Sequence, residues 1–301
     1  MFMKIFLYNI FLILLTCSIV KGQSVQAPFL SGARNAGIGD AEISFAQDIS
    51  CMYQNPASLV FLENYSVMVN HAQIRNGIGM MENIAFPVLP KGAQMLSFGL
   101  QLYHLGYLQS HEPFQNNHIL EFGYEAAFAS EITNTFSVGI SAGLNYGQTD
   151  HSHSTAGMYS IGIDYSPSAD ISYAAVFSGL GTEIQYFKSD SSFDAKNIYL
   201  NKSLEIGASL SYPSSSSLRR KFLVLSLANQ KIFGYSGLYY KGGIEIRPFN
   251  FLNLRFGYVT GPDISAPRYG LGLHFGNFLF EFVFYTQQSD MLNQFSLLYN
   301  L

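Results

Sequence analysis

The sequence predicts an all-β protein, a transmembrane antiparallel β-barrel of about 14 strands with a short N-terminal plug, or hatch, segment. Three observations lead there. Long segments of alternating polarity recur along the chain. Charged residues make up only 12% of it, against about 25% in ordinary domains, while aromatic residues reach 15%. After residue 22 no stretch approaches the ~18 consecutive apolar residues of a membrane-spanning helix. The hydrophobicity is therefore carried by strands.

Taken in order, the chain opens on Lys4 and an apolar run from Ile5 to Val20, followed by the polar Lys21-Gly22-Gln23-Ser24. This is the pattern of a signal peptide over 1–22, cleaved near Gly22 or Gln23. A lipoprotein site at Cys17 is disfavoured because Thr16 is larger than the small residue such a site carries. Export in this way, with alternating strands to follow, places the mature chain in a bacterial outer membrane. With Cys17 in the leader, Cys51 has no partner for an internal disulfide. A formal charge of −4 without a basic run argues against nucleic acid.

Residues 23–62 do not alternate. Their Gly and small residues break any period-2 face, yet they hold too many apolar residues for a disordered leader, so this segment is expected to pack inside the barrel. Residues 63–301 form the wall. Its clearest stretch turns Phe136, Val138, Ile140, Ala142, Leu144 and Tyr146 to one side and Ser137, Gly139, Ser141, Gly143 and Asn145 to the other. The split recurs from Leu120 to Phe128, from Leu204 to Tyr212, from Leu252 to Tyr258, from Arg268 to Phe275 and from Phe278 to Phe284. Candidate strands fall near 65–73, 80–88, 94–104, 118–130, 135–146, 157–166, 171–178, 182–188, 202–212, 220–228, 238–248, 251–260, 268–276, 277–286 and 292–301. Single-chain bacterial barrels have an even strand number, so Ser178-Gly179-Leu180-Gly181 is read as a kink within one strand, which leaves 14. Tight turns are expected at Asn250 and Gly276-Asn277, and longer loops at 105–117, 147–156, 189–201 and 260–267.

A soluble β-sandwich also alternates. What sits opposite the apolar face decides between them: a water-facing sheet would be dense in Lys, Glu and Thr, whereas here those positions are mostly Gly, Ser and Asn with a few mixed charges. Segments of about ten residues fit a tilted bilayer crossing, and soluble strands are nearer five or six. Aromatics at Tyr146, Tyr165, Tyr212, Tyr258 and Tyr285 stand where an interfacial girdle would place them.

The hatch stretch GARNAGIGDAEISFAQDISCMYQNPASL, with Gly37, Gly39, Asp40, Asn55, Pro56 and Ala57, resembles the N-terminal signature of the PorV/PorQ family, itself similar to the FadL-type long-chain fatty-acid transporters. GGIEIRPFNFLNLRFGY and the closing strand are similar to that family too. The resemblance implies a 14-stranded barrel with an N-terminal plug and, for PorV/PorQ members, a role in type IX secretion and in the attachment of cargo proteins to the cell surface.

Two sets of residues are candidates for function. Pro56 fixes its own φ and biases Asn55 toward extended backbone, so Asn55-Pro56-Ala57 is expected to make a rigid turn inside the barrel, against lumen residues such as Arg247 or Arg255. Lys241, Glu245, Arg247, Arg255, Arg268 and Glu281 all fall on the polar face, because a cation facing lipid at midplane costs about 2–4 kcal/mol. They read either as a ladder of paired charges that anchors the plug or as a polar permeation path. His71, His104, His118 and His274 stand in no catalytic motif, and His151-Ser152-His153 offers two imidazoles where a stable metal site needs three or four ligands. The expectation is a non-enzymatic protein without cofactor or metal. Its partners are outer-membrane lipid together with type IX secretion components and cargo, or alternatively a hydrophobic small molecule carried as by a FadL-like transporter; a purely structural barrel is the third reading.

Overall fold

The computed structural model describes residues 32–44, 48–62, 66–74, 79–87, 94–105, 119–149, 152–182, 185–188, 201–213, 222–262, 264–287 and 290–301. The expected signal segment 1–22, His118 and the Ser214–Ser217 and Arg219–Lys221 stretch lie outside them. The wall comprises β1 (Ser66–Ile74), β2 (Gly79–Pro87), β3 (Gln94–Leu105), β4 (Ile119–Thr133), β5 (Phe136–Thr149), β6 (Ser152–Tyr165), β7 (Ile171–Gly181), β8 (Gln185–Lys188), β9 (Ser203–Tyr212), β10 (Leu223–Ile232), β11 (Tyr239–Phe249), β12 (Leu252–Thr260), β13 (Ser265–Phe275), β14 (Phe278–Gln287) and β15 (Asp290–Asn300). Each runs antiparallel to its neighbour, and β15 pairs with β1 from Ser66↔Asn300 to Ile74↔Leu292, so the sheet closes on itself. Among the described strands every one but β8 is paired on both sides, and a paired edge leaves no backbone group open to lipid.

β7 and β8 are two halves of one wall strand. β7 leaves β6 at Met158↔Gly181 and β8 resumes at Thr155↔Gln185 on the same partner. Between them Gly179 takes φ +72, a left-handed geometry that favours glycine, and the register slips between Tyr159 and Ile161. Thr182 bridges the break: its Oγ1 accepts from Gly157 N at 2.8 Å and its own N–H donates to Gly157 O at 3.1 Å. Counted as one, they bring the ring to 14 strands.

The alternation of the sequence becomes the two faces of the wall. On β12, Leu254, Phe256 and Tyr258 are exposed while Asn253, Arg255 and Gly257 are buried; on β5, Ile140 and Leu144 are exposed over buried Ser137, Ser141 and Gly143. Exposed apolar residues on every side, with polar ones within, are the arrangement of a transmembrane barrel. The expected loop at 147–156 is a correction. β5 continues to Thr149 and β6 begins at Ser152, with Gln148 opposite His153 in the ladder. Both faces are polar there, so the period carries no signal although the backbone stays paired. His153 accordingly stands on a strand, its ring stacked 6.1 Å from that of Tyr146, and not in a solvated loop.

Inside lies the hatch: α1 (Ala33–Gly37) and two 3-10 helices, η1 (Ile49–Tyr53) and η2 (Pro56–Phe61). η1 starts at Asp48, whose Oδ1 accepts from Ser50 N at 2.8 Å. η2 starts at Asn55, whose Oδ1 accepts from Ala57 N at 3.1 Å, with Pro56 in the first position where no N–H is needed. Ile49, Met52, Leu59 and Leu62 pack against the inward Met68, Met95, Ala127, Ala129, Leu279 and Leu298. This apolar core lies toward the end of the barrel that carries the two-residue turns 134–135, 250–251 and 276–277, called here the near end.

Candidate functional site

The two halves of the hatch make most of their polar contacts with different walls. Residues 32–42 lie mainly against β11–β15, where Glu245 of β11 is the hub of an ionic network, and Ile43-Ser44 reach β7 and β9. Its Oε2 accepts from Arg34 Nε at 3.1 Å and from Arg255 Nε at 2.5 Å, and its Oε1 accepts from Arg247 Nε at 2.8 Å. Arg255 Nη2 continues to Glu281 Oε1 at 2.6 Å, and Arg34 Nη2 to Glu42 Oε1 at 2.9 Å. Arg34, Glu42, Glu245, Arg255 and Glu281 are all buried. Three cations, Arg34, Arg247 and Arg255, thus face three anions, Glu42, Glu245 and Glu281, which lets charges stay ionised away from water. Burial pulls the Arg34 guanidinium below its ordinary range, and the facing Glu245 opposes that shift.

Glycines let the backbones touch. A Cβ on Gly243 would overlap Ile38 O and one on Gly257 would overlap Gly39 N, so the Ile38-Gly39 tip rests directly on β11 and β12. The chain reverses through left-handed Gly39 (φ +75) and Asp40 (φ +52). Asp40 is the only half-buried residue among the described 32–44, and it pairs with Arg268, whose guanidinium carbon lies 4.4 Å from the centre of the Tyr285 ring. Lys241 pairs separately with Glu205 at 2.9 Å.

Residues 48–62 meet β4–β6 through a finer mesh. Asn55 Nδ2 donates to Ile43 O at 2.7 Å and to Ile163 O at 3.4 Å; Ala57 O accepts from Ser137 Oγ at 2.9 Å. Ser58 Oγ donates at 2.9 Å to Asp164, which also accepts from Ser166 and Ser172 at 3.0 and 2.9 Å. A Cβ on Gly139 would overlap Ala57 N and one on Gly162 would overlap Asn55 Oδ1. The Asn55-Pro56-Ala57 turn is thus inside the barrel but against β5 and β6, not against Arg247 or Arg255. The hatch contact with those arginines comes from Arg34, through Glu245.

The charges singled out by their position on the polar face, Lys241, Glu245, Arg247, Arg255, Arg268 and Glu281, lie in two pairs and one network, and Gly37, Gly39 and Asp40 lie against three of their strands. Sequence reading missed Arg34, Glu42, Glu205 and Asp164. The first two had a signal, a charge of each sign within a run of small residues; Glu205 and Asp164 sit on polar faces of alternating strands like the charges that were noticed. Cys51 is buried beside η2, and burial first, then the charges of Asp48 and Asp164, push its thiol well above the ordinary range.

Above the network the interior changes. Toward the far end of β12–β15 the buried inward positions are mostly apolar, Val259, Ala266, Val283, Tyr285 and Leu292, with Arg268 and Gln294 at the same levels. His274 faces inward and its Nε2 accepts from Asn253 Nδ2 at 3.0 Å; His71 faces outward. Among the described residues no group of three or more His, Cys, Asp or Glu is placed to hold a metal ion.

No family model and no curated protein matches this sequence. Solved structures do match its fold. The Pseudomonas putida toluene transporter TodX superposes with a TM-score of 0.63 at 12% identity, covering 90% of this chain and 98% of that one. The monoaromatic hydrocarbon channel CymD gives 0.68 at 11% identity over 90% and 97%. A Pseudomonas aeruginosa FadL homologue gives 0.61 at 10% identity over 90% and 98%. The chain thus shares the outer-membrane barrel fold of a toluene transporter, a monoaromatic hydrocarbon channel and a FadL homologue.

Proposed function

We propose that the chain is a bacterial outer-membrane channel for small hydrophobic molecules, exported by a cleaved signal peptide (1–22) and closed at rest by residues 23–62. The observation that carries this reading is the change in the interior along β12–β15, from Asn253, Arg255 and Glu281 at the hatch to Val259, Ala266, Tyr285 and Leu292 nearer the far end, with Arg268 the one charge among them. A mostly apolar stretch of interior beyond a polar stopper suits a neutral, poorly hydrated cargo and disfavours a hydrophilic solute, for which it offers few hydrogen bonds. That the barrels of like fold include channels for toluene and other monoaromatic hydrocarbons supports the same cargo class. In this reading Arg268–Asp40, level with Tyr285 and Leu292, is a hatch contact that a cargo entering from the far end reaches before the Glu245 network.

Uptake of a labelled monoaromatic hydrocarbon by cells expressing the chain in their outer membrane tests it. Uptake should exceed that of cells carrying an empty vector, and Val259→Asp, which puts a charge in the apolar far-end stretch, should remove the excess while the barrel still shows heat-modifiable gel mobility. Equal uptake with and without the chain overturns the reading. A second reading, a type IX secretion component acting on cargo proteins, rests on the similarity of Gly32–Leu59 to the PorV/PorQ signature; recovery of secretion components with the solubilised barrel would favour it.

A further inference from the structure

The outward apolar belt is uneven in height. On β5 it runs over six alternate positions from Phe136 to Tyr146, whereas among the described positions it holds Phe295, Leu297 and Tyr299 on β15 and Val67 and Val69 on β1. Beyond these the outward residues are polar: His71 opposite Phe295, then Gln73 opposite Asn293. β1 has nine residues and β15 eleven against fourteen in β5, so the described wall is lower at the seam where the barrel closes than at β5. Immediately below this polar corner, on the near-end side, the wall carries a groove of about 260 Å³ lined by Val69, Leu271, Phe280, Phe282, Phe295 and Leu297, with His71 at its upper edge.

We propose that the groove and its polar corner form a site for a membrane lipid, one acyl chain lying in the groove and the phosphate headgroup drawn down to His71, Gln73 and Asn293. The groove opens onto the lipid-facing belt, so the apolar material available to fill it is an acyl chain, and an unfilled apolar concavity forfeits its contacts. The corner supplies what a headgroup needs, two amide donors and an imidazole. Polar groups at belt height are costly against hydrocarbon and tolerable against phosphate oxygens or water. A short apolar belt favours local thinning of the bilayer, which brings headgroups down to that height. The site follows from the transmembrane fold and is independent of what the channel carries.

The chain contains no tryptophan, so one introduced indole reports on one place. Leu297→Trp marks the groove, Leu271→Trp marks its other side in case the first fails to fold, and Leu254→Trp marks the open belt on β12. Each is purified in maltoside detergent, checked for heat-modifiable mobility, and titrated with phosphatidylglycerol brominated on its acyl chains. The groove indole should be quenched saturably at about one lipid per barrel, whereas the belt indole should need roughly tenfold more lipid, rising with its share of the micelle. Adding His71→Leu and Gln73→Leu should move the groove curve toward the belt curve. Two results overturn the proposal: identical gradual curves at groove and belt, which make the groove lipid ordinary solvent, or a groove indole shielded from the brominated lipid at every concentration, which assigns the groove to a second copy of the chain or another protein.

Discussion

The first half of the hatch, residues 32–44, and the second, residues 48–62, fill the same barrel by opposite means. The first has a five-residue helix with no side-chain cap and depends on buried ions: Arg34 and Glu42 meet Glu245, Arg255 and Glu281, and Asp40 meets Arg268. The second has two capped turns, an apolar core around Met52 and Leu59, and hydrogen bonds to serines and carbonyls of β5 and β6. Buried ion pairs concentrate their energy in few atoms, and removing one partner strands the other. Packing and neutral hydrogen bonds spread theirs, so no single loss releases the segment. On the channel reading proposed above, the difference would make the first half the part that one event releases and the second half the base it moves against.

The sharpest way to break this comparison is Glu245→Gln. It leaves Arg34, Arg247 and Arg255 without their common anion, a loss of about 3–5 kcal/mol for an uncompensated buried charge. The expected outcome is a clear fall in the urea midpoint of the folded barrel and a larger planar-bilayer conductance. The Cys51 thiol, packed with the second half, should stay unlabelled by maleimide. Labelling of Cys51 together with the rise in conductance would show that the hatch moves as one body. The reciprocal change is Gly162→Val, whose side chain overlaps Asn55. Overpacking of this kind costs about 1–3 kcal/mol. Cys51 labelling should increase severalfold here, with the Arg34 network left in place; unchanged labelling would show that η2 tolerates displacement from β6.

The same contrast explains how much was legible in the sequence. The wall could be read because its two faces differ chemically: Leu254 and Phe256 against Asn253 and Arg255 give strand, facing and charge placement at once. Legibility failed at 147–156, where both faces are polar and pairing persists without a periodic signal. The Ser178–Gly181 break was readable as a kink because Gly179 marks a backbone that side chains resist, and the ladder to β6 resumes beyond it. In the hatch, composition located the segment and Asn55-Pro56 located its turn. Which wall the turn would touch depends on how closure of the ring brings β5 and β6 opposite β11–β14, and no local pattern holds that information. Arg34 escaped notice for the same reason: its partner Glu245 lies 211 residues away.

A smaller effect sharpens the link between the halves. Asn55→Ala removes the cap of η2 and the bond from Nδ2 to Ile43 O, the point where the fixed base grips the end of the mobile half. A lost cap costs about 1 kcal/mol. Conductance is expected to rise modestly and Cys51 labelling slightly, both less than in Glu245→Gln or Gly162→Val respectively. A conductance equal to that of Glu245→Gln would move the main latch from the ionic wall to this hydrogen bond.

Asp40→Asn should have the smallest effect on stability and the most specific one on gating. Asp40 is the one half-buried residue of the described first half, so water screens part of its attraction to Arg268, and the guanidinium keeps Ala36 O and the Tyr285 ring as partners when the carboxylate is lost. The urea midpoint should therefore stay close to that of the unmodified chain. The tip is nevertheless the outermost contact of the hatch. Losing its charge should increase the frequency of brief openings in single-channel records without raising their amplitude, because Glu245 still holds Arg34 behind it. High salt should produce the same change in the unmodified chain and little further change in Asp40→Asn, since ionic strength screens an accessible pair far more than a buried one. Openings that respond to salt equally in both would mean that the pair at the tip takes no part in closing the channel.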